Sequence, residues 1–439
     1  MNSLFTTLFG AVTMSDDRKL FSIANYRKFF GATLISTLGD GVMLVALPLL
    51  AASVSNSSRA VAWVLGLSRM PILLLSLDAL VAPMKNRVVK ASGLPWLLAK
   101  LNGATLADRS DARTVMLAAD LARFGVLALL SGVVLAGRLS LVAIYVTAFV
   151  LGLLEIPFSA ASQRMFPETV PDAFLPIANA RLSAASTAGE QFVGPALGGI
   201  LVGGKAALPV MGDALSFLGS AAFVRGLPSL PAELRTCDQA AADMPEAWQW
   251  LKRSVPLRNA TLFIMVLGFA QVMVLSLLIP LGREALKLSE RGIGLLAAIT
   301  AIGGLIGAAL ADRVFARLGY LRNFLVAGSV IAVAYVIAGL WKNTVVVGLA
   351  LVAEGIVIMF GQVAFNVLRQ RLIPADLRGR VSSLTRAAVR GVTPFSAFLA
   401  GEIAVRKGPS LAVLVAGIIT GSAVVLFGPT LRRSFADVG

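Results

Sequence analysis

Long apolar runs separated by short charged or Gly/Pro punctuation make up most of the chain. Runs long enough to cross a bilayer occupy roughly residues 29–53, 114–136, 139–161, 183–203 and 206–224 in the first half. The second half adds runs at roughly 260–281, 292–311, 323–341, 344–366, 391–405 and 410–429. A spanning helix takes about 20 such residues, so the pattern predicts an all-α integral membrane bundle. These eleven runs leave residues 59–107 to divide, and two divisions stay open. Either Ala60–Pro83 is the second span, with Gly93–Ala107 on the cytoplasmic face, or Met70–Ser92 is an insertion and Ala60–Arg69 continues into Gly93–Ala107. The polar stretch 225–258 predicts a cytoplasmic linker carrying a short amphipathic helix around Pro245–Lys252. The expected organisation is a tail over 1–28, a bundle over 29–224, the linker, a second bundle over 259–430 and a tail over 431–439.

The halves repeat. Gly103-Ala-Thr-Leu-Ala-Asp108-Arg109-Ser-Asp-Ala-Arg113 recurs as Gly307-Ala-Ala-Leu-Ala-Asp312-Arg313-Val-Phe-Ala-Arg317, with eight of eleven positions identical at an offset of 204. Gln163-Arg164-x-x-Pro167 recurs as Gln370-Arg371-x-x-Pro374 at an offset of 207. Two matches at nearly one offset indicate two homologous bundles in parallel orientation, six spans plus six. From Phe29 to Gly103 is 74 residues, whereas Ala260 to Gly307 is 47, and that surplus motivates the insertion reading.

Composition narrows the class. Hydrophobic residues make up 57% and charged residues only 14%, with a mean hydropathy of +0.83, where soluble domains are nearer half and a quarter. The 39 Lys and Arg against 23 Asp and Glu give a net charge of +16. In a soluble chain that excess would point to nucleic acid, but here the basic residues are scattered between apolar runs. With both termini inside, only Arg59, Arg138, Lys205, Arg283, Lys287, Arg291, Lys342, Arg406 and Lys407 fall in outer loops, which supports that orientation. The first residues lack the basic start of a secretory signal, and Met14 could equally be the initiator. One cysteine, Cys237, and no histidine exclude an internal disulfide, Cys- or His-based metal chemistry and a Ser-His-Asp triad. No phosphate-binding G-x-x-x-x-G-K-[ST] loop is present. Neither enzymatic activity, a cofactor nor a metal is expected.

These motifs carry a resemblance. Gly-x-x-x-x-Asp-Arg-x-x-x-Arg, with its second copy, resembles the loop signature of the major facilitator superfamily. Gly194-Pro195-Ala196-Leu197-Gly198-Gly199 resembles the antiporter motif of its proton-coupled exporters, with Glu190 where that motif has a further glycine. Leu38-Gly39-Asp40-Gly41, Asp213-Ala-Leu-Ser-Phe217 and Pro374-x-x-Leu377-Arg378-Gly379-Arg380 are similar to drug:proton antiporters related to macrolide efflux proteins and the enterobactin exporter. The resemblance covers about residues 24–430. It implies a 12-helix (6+6) bundle with two pseudo-symmetric halves, monomeric, in a bacterial-type inner membrane with both termini cytoplasmic. It also implies export of a small amphiphilic molecule in exchange for protons. A non-transporting protein that keeps the fold and an importer of a small nutrient remain alternatives.

The candidate site follows. Gly103, Asp108, Arg109 and Arg113, with Gly307, Asp312, Arg313 and Arg317, read as gating loops in which the aspartate meets a neighbouring helix N-terminus. Asp108 is expected near Arg386 and Arg390, and Asp312 near Arg181. Gly194, Pro195, Gly198 and Gly199 read as a bend with small-residue packing, the eighth span with Gly303, Gly304 and Gly307 being its expected neighbour. Because charge inside a bilayer is costly and usually functional, Asp40, Glu190, Glu354, Glu155 and Asp213 are the candidates for proton coupling or substrate contact. Asp40, between Gly39 and Gly41, stands first, its glycines expected to admit water and substrate.

Overall fold

The computed structural model describes residues 14–81, 110–202, 207–231, 246–374 and 377–435. Among them no strand occurs. The first half contains α1 (Met14–Ser22), α2 (Ala24–Val54), α3 (Ser58–Val81), α4 (Ala112–Leu135) and α5 (Leu141–Met165). It continues with α6 (Leu175–Ala188), α7 (Gly194–Val202) and α8 (Ala207–Arg225). A short helix over 246–253, α9, stands where the linker helix is expected. Then come α10 (Val255–Ser276), α11 (Glu290–Leu340) and α12 (Thr344–Leu372). The last elements are α13 (Arg378–Gly391), α14 (Thr393–Lys407) and α15 (Pro409–Phe435).

Among the described residues nine helical stretches are long and apolar enough to cross a membrane. Their starts are chemically marked. The Ser140 hydroxyl accepts the Ala143 N–H, Asn343 Oδ1 accepts the N–H groups of Val345 and Val346, and Ser289 Oγ accepts that of Gly292. Each satisfies donors that a helix leaves orphaned at its first turn. Large apolar side chains such as Leu129, Leu135, Val142, Val345, Val425 and Leu426 stand on the surface, as on helices solvated by lipid.

One boundary differs from expectation, and another fits the first of the two divisions left open. α11 runs for 51 residues and leaves helical geometry only at Gly319, where φ is +64°. The second copy of the repeated signature, Gly307–Arg317, is therefore helix rather than loop. Its Ala, Leu and Arg residues are good helix formers, and only a glycine tolerates the left-handed turn that follows. Helix α3 runs unbroken through Met70 to Val81, with Pro71 inside it, so no span stops at Arg69. The rest of the suspected insertion, together with Gly103, Asp108 and Arg109, lies outside the described residues.

The chain forms two compact units, Met1–Val54 with Ala91–Thr236, and Ser55–Lys90 with Cys237–Gly439. The first has a core in which Phe29, Met116, Phe158, Met165 and Leu227 pack together. The second includes α3, although the sequence places that helix in the first half. There Trp63 meets Phe398 of α14 edge-on at 5.5 Å, and Arg59 Nε lies 2.7 Å from Glu402 Oε1. The Phe398 ring lies against Gly66, where a methyl group would come within 2.5 Å of it.

Candidate functional site

In the first unit the site is built on backbone contact between α2 and the helix pair α6–α7. A Cβ at Gly41 would lie 2.6 Å from the Gly189 carbonyl oxygen and 2.8 Å from that of Glu190. One at Gly194 would lie 2.6 Å from Gly41 Cα, and one at Gly198 would lie 2.5 Å from the Val42 carbonyl oxygen. Only glycine permits such approach. Where Gly303 and Gly307 lie on α11, a side chain would collide with the backbone of Val352 and Ile356 on α12. Both glycine faces thus close within their own unit.

Between α6 and α7 the chain makes a π-helical turn over Gly189–Val193, and the Gly194 N–H donates five residues back to the Gly189 carbonyl. Pro195 explains it. A proline has no N–H for the carbonyl four residues earlier, and its ring crowds that carbonyl, so the turn widens just before it. Such turns gather at functional sites, and this one carries Glu190. The bend expected from Gly194-Pro195 is therefore a widened turn.

The glycines beside Asp40 serve packing rather than access. Gly41 faces α6–α7, and the space above Gly39 is filled by the Asp213 carboxylate and the Ser216 hydroxyl of α8. Asp213 is 2% exposed, and its Oδ1 accepts a hydrogen bond from Ser216 Oγ at 2.9 Å. Asp40 lies in the electrostatic field of Arg123, Asp213, Glu155 and Glu190 together. Asp40 thus has three of the other candidate acids, each from a separate span, and one cation around it.

That cation is not among the candidates read from the sequence. Arg123 of α4 is 2% exposed. Its guanidinium lies 4.9 Å from the Phe158 ring centre and 5.1 Å from that of Phe217, and its Nη1 is 4.0 Å from Asp120 Oδ1. Asp120, fully buried, is the site residue that the sequence reading passed over. The signal was there, since an aspartate and an arginine three apart inside an uninterrupted apolar run lie on one helix face. Among the described residues, Asp213 Oδ2 and Arg123 Nη2 are buried with no protein hydrogen-bond partner, a state that a purely structural core avoids. Among the described residues no group of three or more His, Cys, Asp or Glu is arranged to hold a metal ion.

Glu354 stands apart, in the second unit. It is 5% exposed on α12, and its Oε1 accepts a hydrogen bond from the Tyr335 hydroxyl of α11 at 2.6 Å. Among the described residues no cation balances it in the way Arg123 balances the acids of the first unit.

Of the repeated signature, Arg113 is placed most fully. Arg113 Nη1 donates to the Leu227 carbonyl at 3.2 Å, Lys28 Nζ to Gly226 at 2.6 Å and Arg164 Nη2 to Pro231 at 3.0 Å, so three cations hold the carbonyls that follow α8. Asp111 binds the same segment. Its carboxylate accepts from Leu230 N–H, Ser229 Oγ, Arg113 N–H and Thr114 Oγ1. Partial burial pushes this carboxyl up, but those four hydrogen bonds outweigh it and hold Asp111 below the ordinary carboxylate value. Asp312, Arg313 and Arg317 are exposed on α11.

Residues 29–397 match the family model described as Major Facilitator Superfamily. No match was found among curated proteins. Among solved structures, a point mutant of the nucleoside transporter NupG is similar with a TM-score of 0.66 and 10% identity, over 94% of this chain and 100% of that one. A POT family transporter in complex with 5-aminolevulinic acid gives 0.65 and 11%, over 95% and 96%. A bacterial homologue of the human lysosomal transporter Spinster, inward-facing and occupied, gives 0.67 and 14%, over 94% and 97%. At these identities the likeness is one of fold. The family model, covering most of the chain, and an all-helical fold of apolar spans lead to one conclusion: this chain belongs to the major facilitator superfamily and is a multi-pass membrane transporter.

Proposed function

We propose that this transporter exports a small amphiphilic molecule in exchange for protons by alternating access, as a monomer in a bacterial-type inner membrane with both termini cytoplasmic. The observation that carries the reading is the gathering of Arg123, Asp213, Glu155 and Glu190 around Asp40. With Asp120 included, five carboxyls lie in one buried region with Arg123. Inside a bilayer such an excess is costly, and a bound proton or a cationic group on the substrate relieves it. A site that favours one or the other, in turn, is what exchange requires. Asp40 is the coupling residue, because it adjoins every other candidate acid of the group and histidine is absent from the chain. The Gly-Asp-Arg signatures act as gates, and Asp312→Asn is expected to slow turnover while leaving abundance intact.

Profiling drug susceptibility and exported metabolites of cells with and without the protein finds the substrate. Exchange is then measured in inside-out vesicles over a range of pH. Asp40→Asn should abolish the pH dependence at normal abundance. Lower abundance with unchanged pH dependence would make Asp40 structural and shift the role to Glu190 or Glu354. The same assay reads direction, since substrate moving down into the cytoplasmic side with protons would replace export by nutrient import.

A further inference from the structure

The end of α12 and the body of α13 collect three arginines that lie outside the carboxylate site. Arg369 occupies the last turn of α12, and Arg386 and Arg390 lie one turn apart on α13. They repel in sequence, Arg386 acting on Arg369 and Arg390 on Arg386. The contacts that hold them are neutral. Arg369 Nη2 donates to Asn366 Oδ1 at 2.7 Å while its guanidinium lies 5.2 Å from the Phe365 ring centre. Arg386 Nη2 donates to Ser383 Oγ at 3.3 Å. Arg369 Nε is buried with no acceptor. Among the described residues none of the three pairs with a carboxylate, whereas Arg380 on the same helix reaches Glu246 at 3.3 Å.

The corresponding end of the first half carries Arg164 and Arg181, whereas the second half brings three arginines together. Like charges brought together and fixed by neutral neighbours are a prepared receptor for an oxyanion, and planar guanidinium groups suit phosphate best. Arg369 sits within one turn of the end of a spanning helix, the depth at which lipid phosphates lie, and basic pockets there bind anionic headgroups.

We propose that Arg369, Arg386 and Arg390 form a binding site for a phosphate oxyanion, filled in the membrane by the headgroup of an anionic phospholipid. The site is separate from the carboxylate cluster and stands whether or not transport is proton-coupled. The test uses the purified full chain in detergent, with phosphatidylglycerol or phosphatidylcholine added and bound lipid counted by native mass spectrometry. The wild type should retain phosphatidylglycerol in preference to phosphatidylcholine. Each arginine replaced by glutamine should weaken retention about fivefold, and Arg432→Gln with Arg433→Gln, at the end of α15, should leave it unchanged. Arg386→Gln, at an exposed position, serves if the Arg369→Gln variant does not fold. Displacement by excess inorganic phosphate, lost in the same variants, would support the oxyanion site and make its source soluble. Equal retention of phosphatidylglycerol by wild type and Arg386→Gln, with no effect of phosphate on either, would overturn the proposal.

Discussion

The two units bury their acids in opposite ways. In the first, Asp120 and Asp213 share the low-dielectric interior with Arg123, which is itself held between two phenyl rings, and Asp40 lies in the same field. In the second, Glu354 has a tyrosine hydroxyl and, among the described residues, no balancing cation. The two units thus differ in what balances their buried acids. An ion pair fixes charge in place, whereas a carboxyl bound only to a hydroxyl can be neutral at little cost. The lesson is that pseudo-symmetry predicts helices and not function.

The strongest test of that contrast removes the cation. Arg123→Met leaves buried carboxylates uncompensated and is expected to cost about 3–5 kcal/mol, read as a large fall in the melting temperature of purified protein. Glu354→Gln, which keeps a partner for Tyr335, should cost about 1 kcal/mol. Equal losses would erase the distinction between the units.

A second comparison separates glycines by what they touch. Gly41→Ala drives a methyl into two carbonyl oxygens and should destabilise by about 1–3 kcal/mol. Gly125→Ala on α4 meets nothing within 4 Å, and should stabilise by about 0.5–1 kcal/mol through helix propensity. A destabilised Gly125→Ala would mean that an unseen neighbour covers that face.

The sequence carried the architecture further than the site. Each long apolar run became a helix within a few residues, because lipid-facing positions such as Leu129 and Val425 need no periodicity to be recognised. The five acids were legible because charge is rare in such runs. Their grouping was not. Nothing in the order of Asp40, Glu155, Glu190 and Asp213 shows that the other three and Arg123 meet around Asp40, since convergence depends on which faces the glycines bring together. Gly39 and Gly41 illustrate the limit: a glycine-flanked aspartate looks accessible in one dimension, and only packing shows both glycines spent on neighbouring helices.

A further test lies at the segment that follows α8. Asp111→Ala removes a helix cap and should cost about 1 kcal/mol. The native carboxyl is held below its ordinary value, so its contribution is present above an unfolded value of about 3.9 and is lost as pH falls through the lower folded value. Melting temperatures of wild type and Asp111→Ala should accordingly differ at neutral pH and converge in strong acid. A constant gap across that range would assign the role to packing.

The π turn at Gly189–Val193 has a consequence for how this protein can change over generations. Such a turn holds one residue more than the α-helix it interrupts, so chain length and helix phase are uncoupled there. Losing one codon there would turn everything on one side of it by about 100° against the other. Glu190 could leave the acid group, or a neighbour enter it, in a single genetic step that keeps the span, while Gly194 and Gly198 hold their contact with α2. No point substitution moves a side chain around an axis in that way, which makes this turn the place where relatives of the protein are expected to differ by one residue in length and in what they carry.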